Sequence, residues 1–439
     1  MVGTIIGSGI FLVPQEMMRA TGSSGLVYLA WIAGGLLSLF GAMTYAELST
    51  LLPYAGGEYV YIRGVYGDLP AFLYMWTWFA VAKPASIASV TTGLARTLAI
   101  FPALRWLDGV AFHAGFAVLW SQVFAIAATW LITGLNYLGI RKAGDFQLIF
   151  TWLKGVLILV IAGICFGSLG GHWGNFATKF VGAHGGFGGF MIALIAALWA
   201  YDGWNDLTMV AGEVRDPGRS LPVALIAGLG IVGVLYMATN AAIQYILPAA
   251  QIAASPRPAV AALAAITGPW GAGLVSIAMA VSIFVTLNGT IMSGARVPYA
   301  AARDGLFFRR MADVHPRFRS PSTSLVVQAL LTTGLLLAVG RFQQLFELAI
   351  FAEWLFYMIT ATTIFIYRRR DAGETNYHVW GYPVIPALFV VAAAVLLVYS
   401  YAENLKNSLI GTAAILAGVP LYLAFRKHTA GPAAPRTAR

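Results

Sequence analysis

Of the ionisable residues inside long apolar runs, Lys83, Lys154, Asp202 and Glu353 lie deepest. A charge at such a place is expensive, and by default it marks a substrate, ion or proton site facing a bundle interior or a cavity. Asp202 makes the sharpest case. It lies near the middle of an apolar run from about residue 190 to 212, in the stretch Leu198-Trp-Ala-Tyr-Asp-Gly-Trp-Asn-Asp206. Gly203 follows it, and glycine is about 1 kcal/mol worse than alanine within a helix. An acid followed by glycine either kinks a helix or breaks it, and a break turns free backbone groups toward a cavity rather than lipid. A second weak point of the same kind is Gly7-Ser8-Gly9, within Met1-Val-Gly-Thr-Ile-Ile-Gly-Ser-Gly-Ile-Phe11. Gly3 and Gly7 also spell a close-packing pair, so helix packing is the alternative there. Hydrolytic and metal chemistry find no motif. The six histidines fall in loops, at helix borders or in the tail, with neither an H-E-x-x-H spacing nor a G-x-S-x-G elbow. The chain therefore does not read as an enzyme, and no metal or cofactor is expected.

The elements that must position these residues are membrane spans. Of the 439 residues 59% are hydrophobic and 10% are charged, against about 25% charged in a soluble domain. Apolar runs near spanning length fall at about 1–20, 26–51, 70–100, 112–138, 145–168, 188–212, 219–247, 271–300, 322–340, 345–367, 383–402 and 406–425. That is an all-α polytopic membrane protein with about 12 helices, the first one short. The net charge of +10 reads as topology rather than nucleic-acid binding. Eighteen of the 27 basic residues, among them Arg63, Arg141, Arg215, Arg296, Arg368–Arg370 and Arg426, lie in one set of alternate loops. The positive-inside rule puts that set, and both termini, in the cytoplasm. Arg341 belongs to the smaller, outer set. The lone Cys165 lies in an apolar run, so no intrachain disulfide forms.

The two weak points open the first and the sixth run. Interrupted segments at matching places in two halves are the sequence pointer to a transporter site at an inverted-repeat interface. The expected organisation is a first repeat over 1–168, an outer loop at 169–187, a second repeat over 188–370, two further helices in 371–428, and a disordered cytoplasmic tail at 429–439.

Five motifs carry a resemblance. Gly3-Thr-Ile-Ile-Gly-Ser-Gly-Ile-Phe11, the stretch from Tyr45-Ala-Glu-Leu48 to Gly56-Gly-Glu-Tyr59, Lys83-Pro84-Ala-Ser86, Trp199-Ala-Tyr-Asp-Gly-Trp-Asn205 and Ser293-Gly-Ala-Arg-Val-Pro-Tyr-Ala-Ala-Ala-Arg-Asp-Gly305 stand in order along the chain. Together they resemble the L-type amino acid transporter family of the amino acid–polyamine–organocation superfamily. The resemblance implies a five-plus-five inverted repeat with broken helices one and six. It implies that a substrate carboxylate sits on the backbone N–H groups around Ser8, Gly9 and Ile10, where free donors and the positive helix end favour an anion. The substrate ammonium would meet carbonyls of Ile5, Trp199 and Ala200. Trp199 stands where the family has its gating aromatic, commonly a phenylalanine, and Asn205 at a polar position of the side-chain pocket. Lys154 would place its ammonium where sodium-coupled relatives hold sodium, between helices one and eight, with Thr286 and Asn288 as neighbours. Relatives carry further helical turns before the point where Met1 falls, so helix one is expected to lack its cytoplasmic half here, with the natural start upstream. Animal members bind a heavy chain through a cysteine between helices three and four. Residues 101–115 hold none, so no disulfide-linked heavy chain is expected.

The remaining residues keep two readings each. Asp202 either caps the second half of helix six or selects cationic substrates. Glu353 either lines the pocket or bonds a neighbouring helix, and Lys83 is read mainly as architecture beside Pro84. Arg296, Arg303 and Asp304 are expected in ion pairs at the cytoplasmic end of helix eight. The function expected is sodium-independent exchange or facilitated transport of neutral, and by extension cationic, amino acids across the plasma (inner) membrane. A proton-coupled symporter using Lys154 or Glu353, and a non-transporting sensor or scaffold, are the alternatives.

Overall fold

In the computed structural model the described residues are 1–99, 101–113, 117–338, 342–370, 373, 375–403 and 405–428. The tail expected to be disordered, 429–439, and Arg341 lie outside them. Among the described residues the apolar runs fall on helix, except that the fourth, 112–138, opens on strand. The first run is split into α1 (Val2–Ile5) and α2 (Gly9–Thr21). Then come α3 (Ser24–Leu51), the short α4 (Glu58–Tyr66) and α5 (Asp68–Thr77). A π-helical turn at Trp78–Ala82 joins α5 to α6 (Lys83–Leu98). Pro84 explains that turn: it has no N–H to give and its ring crowds the carbonyl four residues back, so the ladder widens before it. The first half closes with α7 (Trp120–Tyr137) and α8 (Ile140–Phe166).

The sixth run is split again, into α9 (Gly186–Tyr201) and α10 (Asp206–Met209). It is followed by α11 (Pro217–Ile246), α12 (Ala249–Ala254), α13 (Pro258–Thr267), α14 (Pro269–Gly294) and α15 (Arg296–Arg303). The chain ends in α16 (Ser322–Ala338), α17 (Phe342–Arg369), α18 (Val384–Glu403), α19 (Leu405–Leu416) and α20 (Gly418–His428). Among the described residues, seven segments are by themselves long and apolar enough to cross a bilayer. One departure from an all-helical chain is an antiparallel hairpin of β1 (Val110–His113) and β2 (Ala117–Leu119), with Val110 opposite Leu119 and Phe112 opposite Val118. These β-favouring residues lie in the connection between α6 and α7, where no helical apolar face is imposed.

The burial pattern is inverted relative to a protein in water. On α8, Leu148, Ile149, Trp152, Val156 and Leu159 are 52 to 72% exposed, while Lys154 on the same helix is 0% exposed. Lipid accepts the apolar side chains, and the ionised one must turn inward to find oxygen. The interior is built where helices meet in pairs: α2 on α9, α3 on α11, α6 on α14 and α7 on α16. Trp31, Tyr201 and Tyr236 form one buried aromatic knot, with ring centroids 5.1 to 5.8 Å apart. Tyr45, Trp204 and Tyr357 form another.

Candidate functional site

The first break is made by Ile6, Gly7 and Ser8. Ile6 leaves the helix at φ −72°, ψ 92°, and Ser8 holds the N-cap position of α2. The first N–H groups of α2 have no partner within the helix. Gly9 sits where α2 presses on α9: a Cβ there would stand 3.1 Å from the Ala200 Cα, so any larger residue would push the two helices apart by a few tenths of an ångström. Of the carbonyls released by the break, Gly3 O and Ile6 O are taken by side chains. Lys154 Nζ donates to Gly3 O at 2.7 Å and to Ile6 O at 2.5 Å. Ser282 Oγ donates to Ile6 O at 2.7 Å, and Thr286 Oγ1 donates to Ile6 O at 3.0 Å. Thr286 thus shares an acceptor with Lys154. Asn288 does not; it bonds the Ala143 carbonyl and Gln147 instead.

The second break follows Tyr201. Asp202 is extended at φ −63°, ψ 158°, and Gly203 takes φ +94°. That value lies in the region glycine occupies without strain. The Asp202 N–H still reaches the Trp199 carbonyl at 3.1 Å, so of the carbonyls expected to serve an ammonium, Trp199 O is occupied by backbone. Ile5 O and Ala200 O, one from each break, share a single donor: Tyr236 OH, at 3.2 and 2.6 Å. Asp202 does not cap α10. The N-cap position there belongs to Asn205, without a side-chain bond, and Asp202 Oδ1 accepts from Tyr357 OH at 2.8 Å.

Both breaks line one cavity of about 60 Å³, together with Lys83, Ser86 and Asp206. Ile5, Ser8, Gly9, Trp199, Ala200, Asp202 and Thr286 belong to its wall, whereas Ile10, Asn205 and Glu353 do not. The volume is room for a few water molecules. Trp199 also lines an outer cavity of about 340 Å³ with Gln15, Glu16 and Arg257, and so lies between the two spaces. A third hollow of about 420 Å³ opens by Glu213 and Arg296, which form an ion pair at 3.1 Å. The expected partner of Asp304 is found in Arg63, at 2.7 Å. Arg303 lies over the Tyr299 ring, 5.9 Å from its centroid.

Three residues around the cavity were not singled out in the sequence: Asp206, Glu58 and Tyr236. Lys83 Nζ is bound to Asp206 Oδ1 at 2.5 Å, both side chains 4% exposed, and lies 4.4 Å from the Trp78 ring centroid. Asp206 stands in the same stretch as Asp202, and a second acid one helical turn on was the available signal. Asn205 Nδ2 donates to the buried Glu58 Oε1 at 2.9 Å, behind the cavity. Tyr236, in the middle of an apolar helix, had no local signal. Glu353 is buried one turn before Tyr357 on α17, so it shares a face with the tyrosine that holds Asp202.

Two interrupted helices thus share one buried, charge-lined cavity within a bundle of apolar helices, the arrangement expected of a membrane transporter. The sequence model of the amino acid permease family matches residues 1–420, and the chain belongs to that family. Among similar proteins, the serine/threonine exchanger SteT of Bacillus subtilis is 32% identical over 433 residues, 98% of this chain and 95% of that protein. The b(0,+)-type amino acid transporter 1 of Mus musculus is 32% identical over 84% of this chain and 74% of its own length. The human cystine/glutamate transporter is 29% identical over 97% of this chain and 83% of its own length. These relatives bear out the resemblance to L-type amino acid transporters. The chain is a multi-pass membrane transporter of amino acids, and not an enzyme.

Proposed function

We propose that this chain exchanges amino acids across the plasma membrane by alternating access, independently of sodium. Its substrates are neutral amino acids, with cationic ones admitted through Asp202. The observation that carries the reading is the meeting of both breaks at one cavity. Free N–H groups at Ser8, Gly9 and Ile10 suit a carboxylate. Ile5 O and Ala200 O, each with a lone pair beyond the one Tyr236 uses, suit an ammonium. These groups recognise what every amino acid shares and leave the side chain to Asp202, Lys83 and Asp206. Sodium independence rests on Lys154: its ammonium already occupies the Gly3 and Ile6 carbonyls beside Ser282 and Thr286, where a small cation would otherwise find its oxygens. Trp199 acts as the outer gate and the Arg296–Glu213 pair belongs to the inner one.

The pairing of α2 with α9, α3 with α11, α6 with α14 and α7 with α16 supports a five-plus-five repeat with boundaries at 1–168 and 188–370. In each case a helix meets its counterpart in the other half. The basic loops support cytoplasmic termini. A buried Cys165 as the lone cysteine supports a carrier without a disulfide-linked heavy chain. The test is uptake of labelled alanine or serine into proteoliposomes, with and without amino acid preloaded, in sodium or potassium buffer. Uptake that requires preloading and ignores the cation is expected. Uptake into empty vesicles driven by a pH gradient alone would make the chain a symporter, and sodium stimulation would overturn the role given to Lys154.

A further inference from the structure

Between the second break and α4 lies a group of buried polar atoms whose hydrogen bonds are unmet. Glu58 opens α4, in the connection between the second and third apolar runs, and is 0% exposed. Its Oε1 accepts from Asn205. Its Oε2 is buried and makes no hydrogen bond of good geometry among the described residues, and the hydroxyls of Tyr45 and Tyr74, likewise without one, lie close enough to favour its anion. The ionisable groups facing it are Tyr45 from α3, Tyr61 on α4, Tyr74 from α5, Asp206 from α10, and Glu353 and Tyr357 from α17. The base of this region, Lys83 of α6, is engaged by Asp206. A carboxylate held out of water without a cation costs several kcal/mol, and the group relieves that cost by taking up a proton.

Glu58 is also wired to the second break. Besides its bond with Asn205, which precedes α10, the Gly56 N–H donates to Met209 O at 3.0 Å. At Gly57 a Cβ would stand 2.7 Å from Thr208 Oγ1. The start of α4 is therefore tied to the residue before α10 and to its last turn, so a movement of α10 would drag or expose Glu58.

We propose that Glu58 is a proton-binding site of this transporter, loaded when the inner side closes and released when it opens. The proposal rests on the transport reading above. On closing, an O–H bond forms at Oε2 with a proton taken from water on the inner side; on opening, that bond breaks and the proton returns to the same water. Burial, opposed by the Asn205 amide and the Tyr74 and Tyr45 hydroxyls, lifts the carboxyl to about 7. One group titrating there passes from about nine-tenths ionised at pH 8 to about one-tenth at pH 6. Acid thus favours the closed, protonated form.

The test sets the inner pH of preloaded proteoliposomes between 6 and 8 and compares the chain with Glu58→Gln. Exchange by the unaltered protein should slow about tenfold from pH 8 to pH 6, and Glu58→Gln should be flat at the slow, acid level. Infrared difference spectra of the detergent-solubilised proteins provide an arm that needs no transport. A protonated-carboxyl band that disappears near pH 7 and is absent from Glu58→Gln supports the site even where exchange fails. If Glu58→Gln does not reach the membrane, Asn205→Ala takes its place. It removes the donor that favours the anion, so the band should titrate at higher pH. Retention of the parent pH profile or band by Glu58→Gln, or an unmoved band in Asn205→Ala, overturns the proposal.

Discussion

Replacing Lys154 by alanine separates turnover from folding. The ammonium makes two bonds, at 2.7 Å to Gly3 O and 2.5 Å to Ile6 O, and is fully buried. A hydrogen bond to a charged group contributes about 1.5–3 kcal/mol, so the pair contributes about 3–6 kcal/mol. Against this, burying the ammonium costs several kcal/mol, which the alanine recovers. The two terms oppose, and overall stability should move by less than about 2 kcal/mol, within the ordinary range for single substitutions. The local effect is different. Ile6 O keeps Ser282 and Thr286, but Gly3 O is left with the 3.4 Å contact of Thr286, at the limit of a useful bond. α1 then loses its tie to α8, and the break that presents the binding groups loosens. Exchange into preloaded proteoliposomes should fall at least tenfold, equivalent to about 1.4 kcal/mol, while the melting curve in detergent shifts by only a few degrees. Unaltered exchange would refute the reasoning, and so would a loss of activity matched by an equal loss of folded protein.

Three further outcomes are expected. Asp202→Asn keeps shape and removes charge, so competition by arginine should weaken more than about tenfold while competition by alanine or leucine changes less; equal losses would make the Asp202–Tyr357 bond purely structural. Tyr236→Phe removes the one hydroxyl shared by Ile5 O and Ala200 O and should cost about 1–3 kcal/mol from two unmet buried carbonyls, read as lower substrate affinity and a lower melting temperature; an unchanged KM for exchange would count against its place in the site. Asp206→Asn leaves the Lys83 ammonium buried without its carboxylate and should destabilise by about 3–5 kcal/mol. The double variant Lys83→Met with Asp206→Leu should recover most of that in a thermal melt, and if it does not, the pair does more than neutralise itself.

Composition and the apolar runs determine that this chain lives in a bilayer, because hydrophobic length is a local property read residue by residue. The two breaks are local as well: Gly7-Ser8-Gly9 and Asp202-Gly203 weaken their own helices wherever those helices end up. Lys154 was legible for a related reason. A charge mid-run must find oxygen, and a broken neighbour supplies it. What the local pattern could not contain is the partner of each group. Lys83 and Asp206 are 123 residues apart, Asn205 and Glu58 147, Tyr236 and Ile5 231. Helical periodicity says which face a side chain occupies but not which distant helix will cover that face. Tyr236 therefore read as one more aromatic in an apolar helix, and Glu58 as part of a loop motif. Only the packing of α10 against α4, and of α11 against both breaks, turned those two residues toward the site. That packing is set by side-chain shape across helices and by the need to satisfy every buried polar atom, and both are properties of the assembled bundle.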